Sequence, residues 1–235
     1  MGEEEAFGRD LGGGGIAPSA APEETAPLVA EILAALAYGE RRGAARAQDS
    51  VALAPDNRSR SVQEGVAARE RQNWELTEAR LKEIGEESLS ELFKPFFDAF
   101  FDHTEPVDWV EAQTFHYVGD ALVSDFADTL VPLVDRVSAE IIRRALGDRA
   151  DQETFALDEL TRAMREDPLA AERIRRYAQR VVGEGFTQTA RAIEATQGLR
   201  MLLGGSDEGK RLVLSLLDHH RQRLDRLGIE PVETD

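Results

Sequence analysis

An acid set into an apolar helical stripe is costly unless something compensates it, and this chain does so twice with one spacing. Glu40 continues the stripe Val29, Ile32, Leu33, Leu36; Asp120 lies within Trp109, Ala112, His116, Val123, Ala127 and Leu130. About thirty residues after each acid comes a polar pair on another stripe: Glu70 and Asn73 after Glu40, Arg149 and Gln152 after Asp120. A helix out, a short loop and a helix back of that length returns the second residue to the height of the first, at about 1.5 Å of rise per residue. Two such hairpins predict four helices whose inward polar groups share one layer.

The three-to-four-residue periodicity begins at Thr25 and runs almost to the end of the chain. It predicts one helix ending before Pro55. A second starts at Ser59 or Ser61 and closes at Gly85, with Val62, Val66, Glu70, Asn73, Thr77 and Leu81 on one face. A short Phe-rich helix over 92–101 is stopped by Pro106, and a third long helix carries Trp109 to Leu130. The fourth runs from about Leu133 to Asp167, where Gly147 ends or kinks it. Two more span 169–203, up to Gly204 and Gly205, and 207–227, with Gly228 as C-terminal stop. No β-branched alternation bounded by turns occurs, so the expected fold is all-α. Residues 1–24 combine acids with Gly12–Gly15 and are expected to be a flexible tail; the bundle occupies 25–228, and 229–235 form a second tail. Gly39, Gly119 and Gly183 each stand before an acid inside a helix, which close helix approach or chance would explain.

The 42% of apolar residues suffices for a core, and the absence of cysteine removes disulfides, thiolate metal sites and cysteine nucleophiles. A net charge of −17 disfavours tRNA or duplex partners, because phosphate neutralisation supplies most of such affinity. Arginines cluster at Arg41, Arg42 and Arg46 and at Arg173, Arg175, Arg176 and Arg180, but acids interleave both groups, as on solvated helix faces. No apolar run approaches the roughly 18 residues of a membrane span. The acidic start shows no export signal, so a cytoplasmic location is expected. Nucleophile elbows, His-Glu-x-x-His boxes and phosphate-binding loops are missing. The Phe-rich helix is expected to plug the bundle, the alternative being the wall of an apolar substrate channel.

Four segments carry a resemblance: Ala37-Tyr38-Gly39-Glu40, Glu70 to Glu75, Asp108-Trp109 with Tyr117-Val118-Gly119-Asp120, and Val181-Val182-Gly183-Glu184. Through them, residues 25–228 resemble the tRNA 2-methylthio-isopentenyl-adenosine hydroxylase-like proteins of the ferritin-like superfamily, in their actinobacterial version. The resemblance implies a ferritin-like four-helix bundle with two or three additional helices. It also implies a di-iron site built from a carboxylate on the first and third helices and Glu-x-x-His on the second and fourth. Glu40, Glu70 and Asp120 match carboxylate positions. Asn73 stands where the first His is expected, and Arg149 and Gln152 where the second Glu and His are expected. Asn and Gln are poor iron ligands and Arg is none, while a guanidinium offers a planar fork of donors to carboxylates.

Two accounts of the layer follow. In one, Arg149 supplies the positive charge and the site is degenerate, leaving a binding or structural protein with no cofactor. In the other, His116, one turn before Asp120, joins Glu40, Glu70 and Asp120 as a metal ligand, and the chain is an iron-dependent monooxygenase. Such an enzyme would hydroxylate isopentenyl-adenosine in tRNA or another apolar substrate. His116 bonded to Asp120 as a core histidine is the plain alternative; His219 and His220 are expected on the surface. A third account is an acidic adaptor pairing with a protein partner, itself or another, through the last two helices.

Overall fold

The computed structural model describes residues 26–146, 149–204 and 207–229. The two expected tails lie outside this range, except Ile229, as do Gly147 and Gly205. Among the described residues every regular element is helical: α1 (Ala26–Ser50), α2 (Asn57–Glu83), α3 (Ser90–His103), α4 (Trp109–Thr114), α5 (Asp120–Leu130), α6 (Arg136–Leu146), α7 (Ala150–Glu166), α8 (Ala170–Ala195), α9 (Gly198–Leu203) and α10 (Asp207–Arg226).

Side-chain caps fix several starts. Asp56, in extended conformation, accepts the Ser59 backbone N–H at 2.8 Å, so α2 begins two residues before the expected Ser59. Asp108 does the same for α4 through the Glu111 N–H at 3.0 Å. Between α4 and α5 the chain makes one π-helical turn, Phe115–Gly119, so the predicted third helix continues to Leu130 with a local widening. Periodicity did not show that turn.

The predicted fourth helix divides into α6 and α7, with Arg149 immediately preceding α7. The predicted helix over 169–203 also breaks, at extended Thr196 (ψ 158°), into α8 and α9. The cause lies on α1: the buried Glu31 carboxylate accepts the backbone N–H groups of Gln197, Gly198 and Leu199 at 2.8, 3.1 and 2.8 Å. Three orphan donors at a helix start are thereby satisfied by a charge. Gly198 permits the contact, since a Cβ there would sit 2.6 Å from Leu28 Cα.

Helices α1 and α2 form one hairpin. The α4–α5 run packs through its π turn against α7 and α8, α6 lies on α2, and α3 packs on both α1 and α8. One apolar cluster joins Leu33, Leu81, Phe93, Ile142 and Leu199; a second joins Phe101, Tyr117, Leu160, Ile174 and Leu224. Four long segments, α1, α2, α4–α5 and α6–α7, therefore surround the layer, and α3, α8–α9 and α10 cover them. Of the three flagged glycines, Gly39 faces the Phe97 ring, 2.9 Å from a hypothetical Cβ, and Gly119 faces Val181 at 3.2 Å. Gly183 meets nothing within 4 Å, so close approach does not account for it.

Candidate functional site

Glu40 comes from the middle of α1, Glu70 from α2 and Asp120 from the end of the π turn, and Arg149 reaches all three from the start of α7. Its Nη2 donates to Glu40 Oε1 at 2.9 Å and to Glu70 Oε2 at 3.3 Å, while Nη1 stands 3.9 Å from Asp120 Oδ1. The side chains are 2% (Glu40), 6% (Glu70), 14% (Arg149) and 17% (Asp120) exposed, so this is a buried cluster rather than a surface pair. Gly43, one turn after Gly39, lies against Glu70, whose Oε2 would be in ordinary contact, at 3.6 Å, with a Cβ there.

Three carboxylates face one guanidinium, and the titration behaviour follows. Burial, then the neighbouring Glu70 charge, push the Glu40 carboxyl well above the ordinary glutamate range, with Arg149 pulling the other way. Arg149 is held protonated even more firmly than usual, since the attraction of Glu70, Glu40 and Asp120 outweighs its desolvation.

His116 is tied to the layer through Asp120. Its Nδ1 lies 2.8 Å from Asp120 Oδ2, and its Nε2 lies 2.9 Å from the amide nitrogen of Gln63. A Gln63 amide donor at Nε2 assigns the ring proton to Nδ1, which donates to Asp120. Gln152 donates to the same Oδ2 at 2.7 Å. Gln63 also donates to the Ala47 carbonyl at 3.1 Å and accepts from Gln113 at 3.3 Å. Asn73 turns out of the layer, its amide donating to the Ala145 carbonyl at 2.9 Å.

Among the described residues no three of His, Cys, Asp and Glu converge closely enough to hold a metal ion. The donor chemistry agrees: a guanidinium bridges Glu40 and Glu70, and both His116 nitrogens are engaged. The residues present therefore do not fit an iron pair.

The remaining polar candidates resolve individually. His103 pairs with Glu184 at 2.8 Å. His219 is exposed beside Asp125, but His220 is half-buried, contrary to a surface pair, and burial lowers its pKa. Arg41, Arg42, Arg173, Arg175, Arg176 and Arg180 pair with acids, as solvated faces do. Arg46 departs from that expectation: it is buried and donates to the backbone carbonyls of Thr104, at 2.7 Å, and Phe101.

Sequence reasoning passed over Gln63, although it lies on the α2 stripe with Val66, Glu70 and Asn73 and could have been found there. It also undervalued the Phe-rich α3. Phe93, Phe96, Phe97, Phe100 and Phe101 all line one apolar cavity of about 650 Å³. The segment does both: Phe93, Phe100 and Phe101 are buried in the two core clusters, and the five rings also form one wall of the cavity. On α1 the cavity runs from Ile32 to Gly43, and it reaches Glu40, Glu70, Asp120 and Arg149 at one end. At the other it is bordered by Lys210, Val213 and Leu214, all exposed, which marks the opening to solvent.

No curated protein matches the chain. A family model described as "Ferritin-like domain, actinomycetes" matches residues 24–206, most of the sequence and the whole of the polar layer. On that match and its all-α bundle, the chain belongs to the ferritin-like domain family of actinomycetes.

Proposed function

We propose that this chain is a metal-independent ferritin-like protein with a binding role, in which Arg149 takes the place of a cation among the carboxylates and the apolar cavity receives the ligand. The observation that carries this reading is the Arg149 guanidinium lying between Glu40 and Glu70. A planar, permanently charged fork at that point satisfies acids that metal ions would otherwise bridge. The likeness to tRNA-modifying hydroxylases then concerns architecture; a net charge of −17 works against an RNA partner.

The test is iron content of the purified full chain after aerobic and anaerobic loading. Less than one iron per chain, with no oxo-bridged absorption, is expected, and stoichiometric iron would overturn the proposal. A second reading, an iron-dependent hydroxylase of an apolar substrate, has one observation in its favour: the cavity ends on the same three carboxylates. It requires the Arg149 guanidinium to withdraw.

A further inference from the structure

The cavity has a chemical asymmetry that selects a ligand. Its wall is almost wholly apolar over the length from Ile32 to Glu40 on α1, about 12 Å at 1.5 Å per residue, and Leu203, Leu212 and Val213 carry it on toward the mouth. About ten saturated carbons in an extended zigzag, with C–C bonds near 1.5 Å, cover the span to Ile32, and a chain of about a dozen reaches the mouth. The volume of about 650 Å³ falls in the ordinary range for small-molecule sites, roughly 300–1,000 Å³.

At the inner end stands Glu40, 3% exposed. Its Oε1 is taken by Arg149, and no N–H or O–H of the protein donates to its buried Oε2. Its carboxyl neighbour there is Glu70, which can share a proton with Glu40 but brings no donor of its own when ionised. Buried polar atoms of this kind are expected to find a partner. The excess of carboxylate over guanidinium repels an anionic head group. Glu40 accepts a hydrogen bond when ionised and can donate one when protonated. A hydroxyl satisfies both states, a carboxylate head cannot donate, and an ether cannot donate either. At the mouth, Lys210 already pairs with Asp207 at 3.3 Å, which weakens its claim on an acidic head.

We infer that the cavity binds a single-chain amphiphile of about a dozen carbons that enters hydroxyl first and bonds Glu40 Oε2. This rests on the reading of the cavity as the binding site. The test is titration calorimetry on the full chain with 1-dodecanol, dodecyl methyl ether and dodecanoate below their aggregation concentrations. The alcohol should bind one per chain, at least tenfold more tightly than either other probe. Glu40→Leu should erase that preference; should the variant not fold, the ether comparison makes the same measurement on the unaltered chain. Ala35→Phe, which fills the half-buried wall of the channel, should abolish binding of all three with little change in melting temperature. Equal or tighter binding of dodecanoate or ether overturns the head-group assignment and leaves the cavity reading standing. No binding by any probe, or binding untouched by Ala35→Phe, overturns both.

Discussion

Replacing Arg149 with Ala is the most direct perturbation of the layer. The substitution deletes the donor of the 2.9 and 3.3 Å contacts to Glu40 and Glu70 and the cation 3.9 Å from Asp120. Breaking a buried pair by removing one partner costs about 3–5 kcal/mol, because an uncompensated charge stays behind. For a chain of this size that corresponds to a fall of about 6–20 °C in Tm, at roughly 2–4 °C per kcal/mol. The loss should depend on pH, with a sign set by Glu40. Its carboxyl is raised in the folded state by burial and by Glu70, so the fold binds that proton more tightly than the unfolded chain does. The associated stability is fully present below the ordinary glutamate value and is lost as pH rises through the folded-state value. Removing Arg149 removes the influence that lowers that value, so the window extends upward and the variant suffers more at pH 8 than at pH 5. Arg149→Lys, a point charge without the fork, should recover part of the loss. Thermal unfolding followed by circular dichroism at both pH values, on wild type and both variants, makes the measurement. An unchanged Tm, or an equal loss at pH 5 and pH 8, refutes the reasoning.

Further outcomes concern the elements that hold the layer in place. Glu31→Ala exposes three α9 backbone donors and should cost about 2–3 kcal/mol in urea unfolding. Gly198→Ala drives a Cβ toward the Leu28 backbone and should cost about 1–3 kcal/mol, whereas Gly183→Ala, with open space around it, should be neutral or stabilising by about 0.5–1 kcal/mol. Gln63→Leu takes away the donor at His116 Nε2 and should free the imidazole to change tautomer, read from ¹⁵N shifts of the ring; an unchanged ring spectrum counts against the assigned proton position.

Much of this arrangement was legible from spacing. The spacing of Glu40, Glu70, Asp120 and Arg149 implies one layer because helix periodicity and hairpin length are both set by local backbone geometry. The π turn at Phe115–Gly119 was hidden because widening a helix by one residue leaves the apolar pattern almost intact on either side. The break before α9 was hidden for another reason: its cause, Glu31, lies 166 residues away from Gln197. The cavity was half visible. The phenylalanines are plain in the sequence, but whether six-membered rings at 3-to-4 spacing only fill a core or also wall a cavity depends on how far neighbouring helices stand apart. Gly39 and Gly185, which let Phe97 and Leu122 approach, belong to helices far apart in sequence.

The layer neutralises its acids by three separate means, and together they bear on how it could be altered. Arg149 supplies a full charge to Glu40 and Glu70. Burial and the neighbouring Glu70 charge raise the affinity of Glu40 for a proton, whose uptake relieves the repulsion between the two. Asp120 is served by dipoles, the His116 Nδ1–H and the Gln152 amide, both on Oδ2. Each device occupies a lone pair that a cation would need, and together they draw on α1, the π turn and the start of α7, which brings both Arg149 and Gln152. Exchanging Arg149 alone for Glu therefore adds a fourth acid while Asp120 keeps its two donors and His116 keeps Gln63. That single change should destabilise the bundle without creating a metal site. A site would require the amide partners of His116 and Asp120 to change together with the arginine, so the layer is a set of mutually dependent choices rather than one missing ligand.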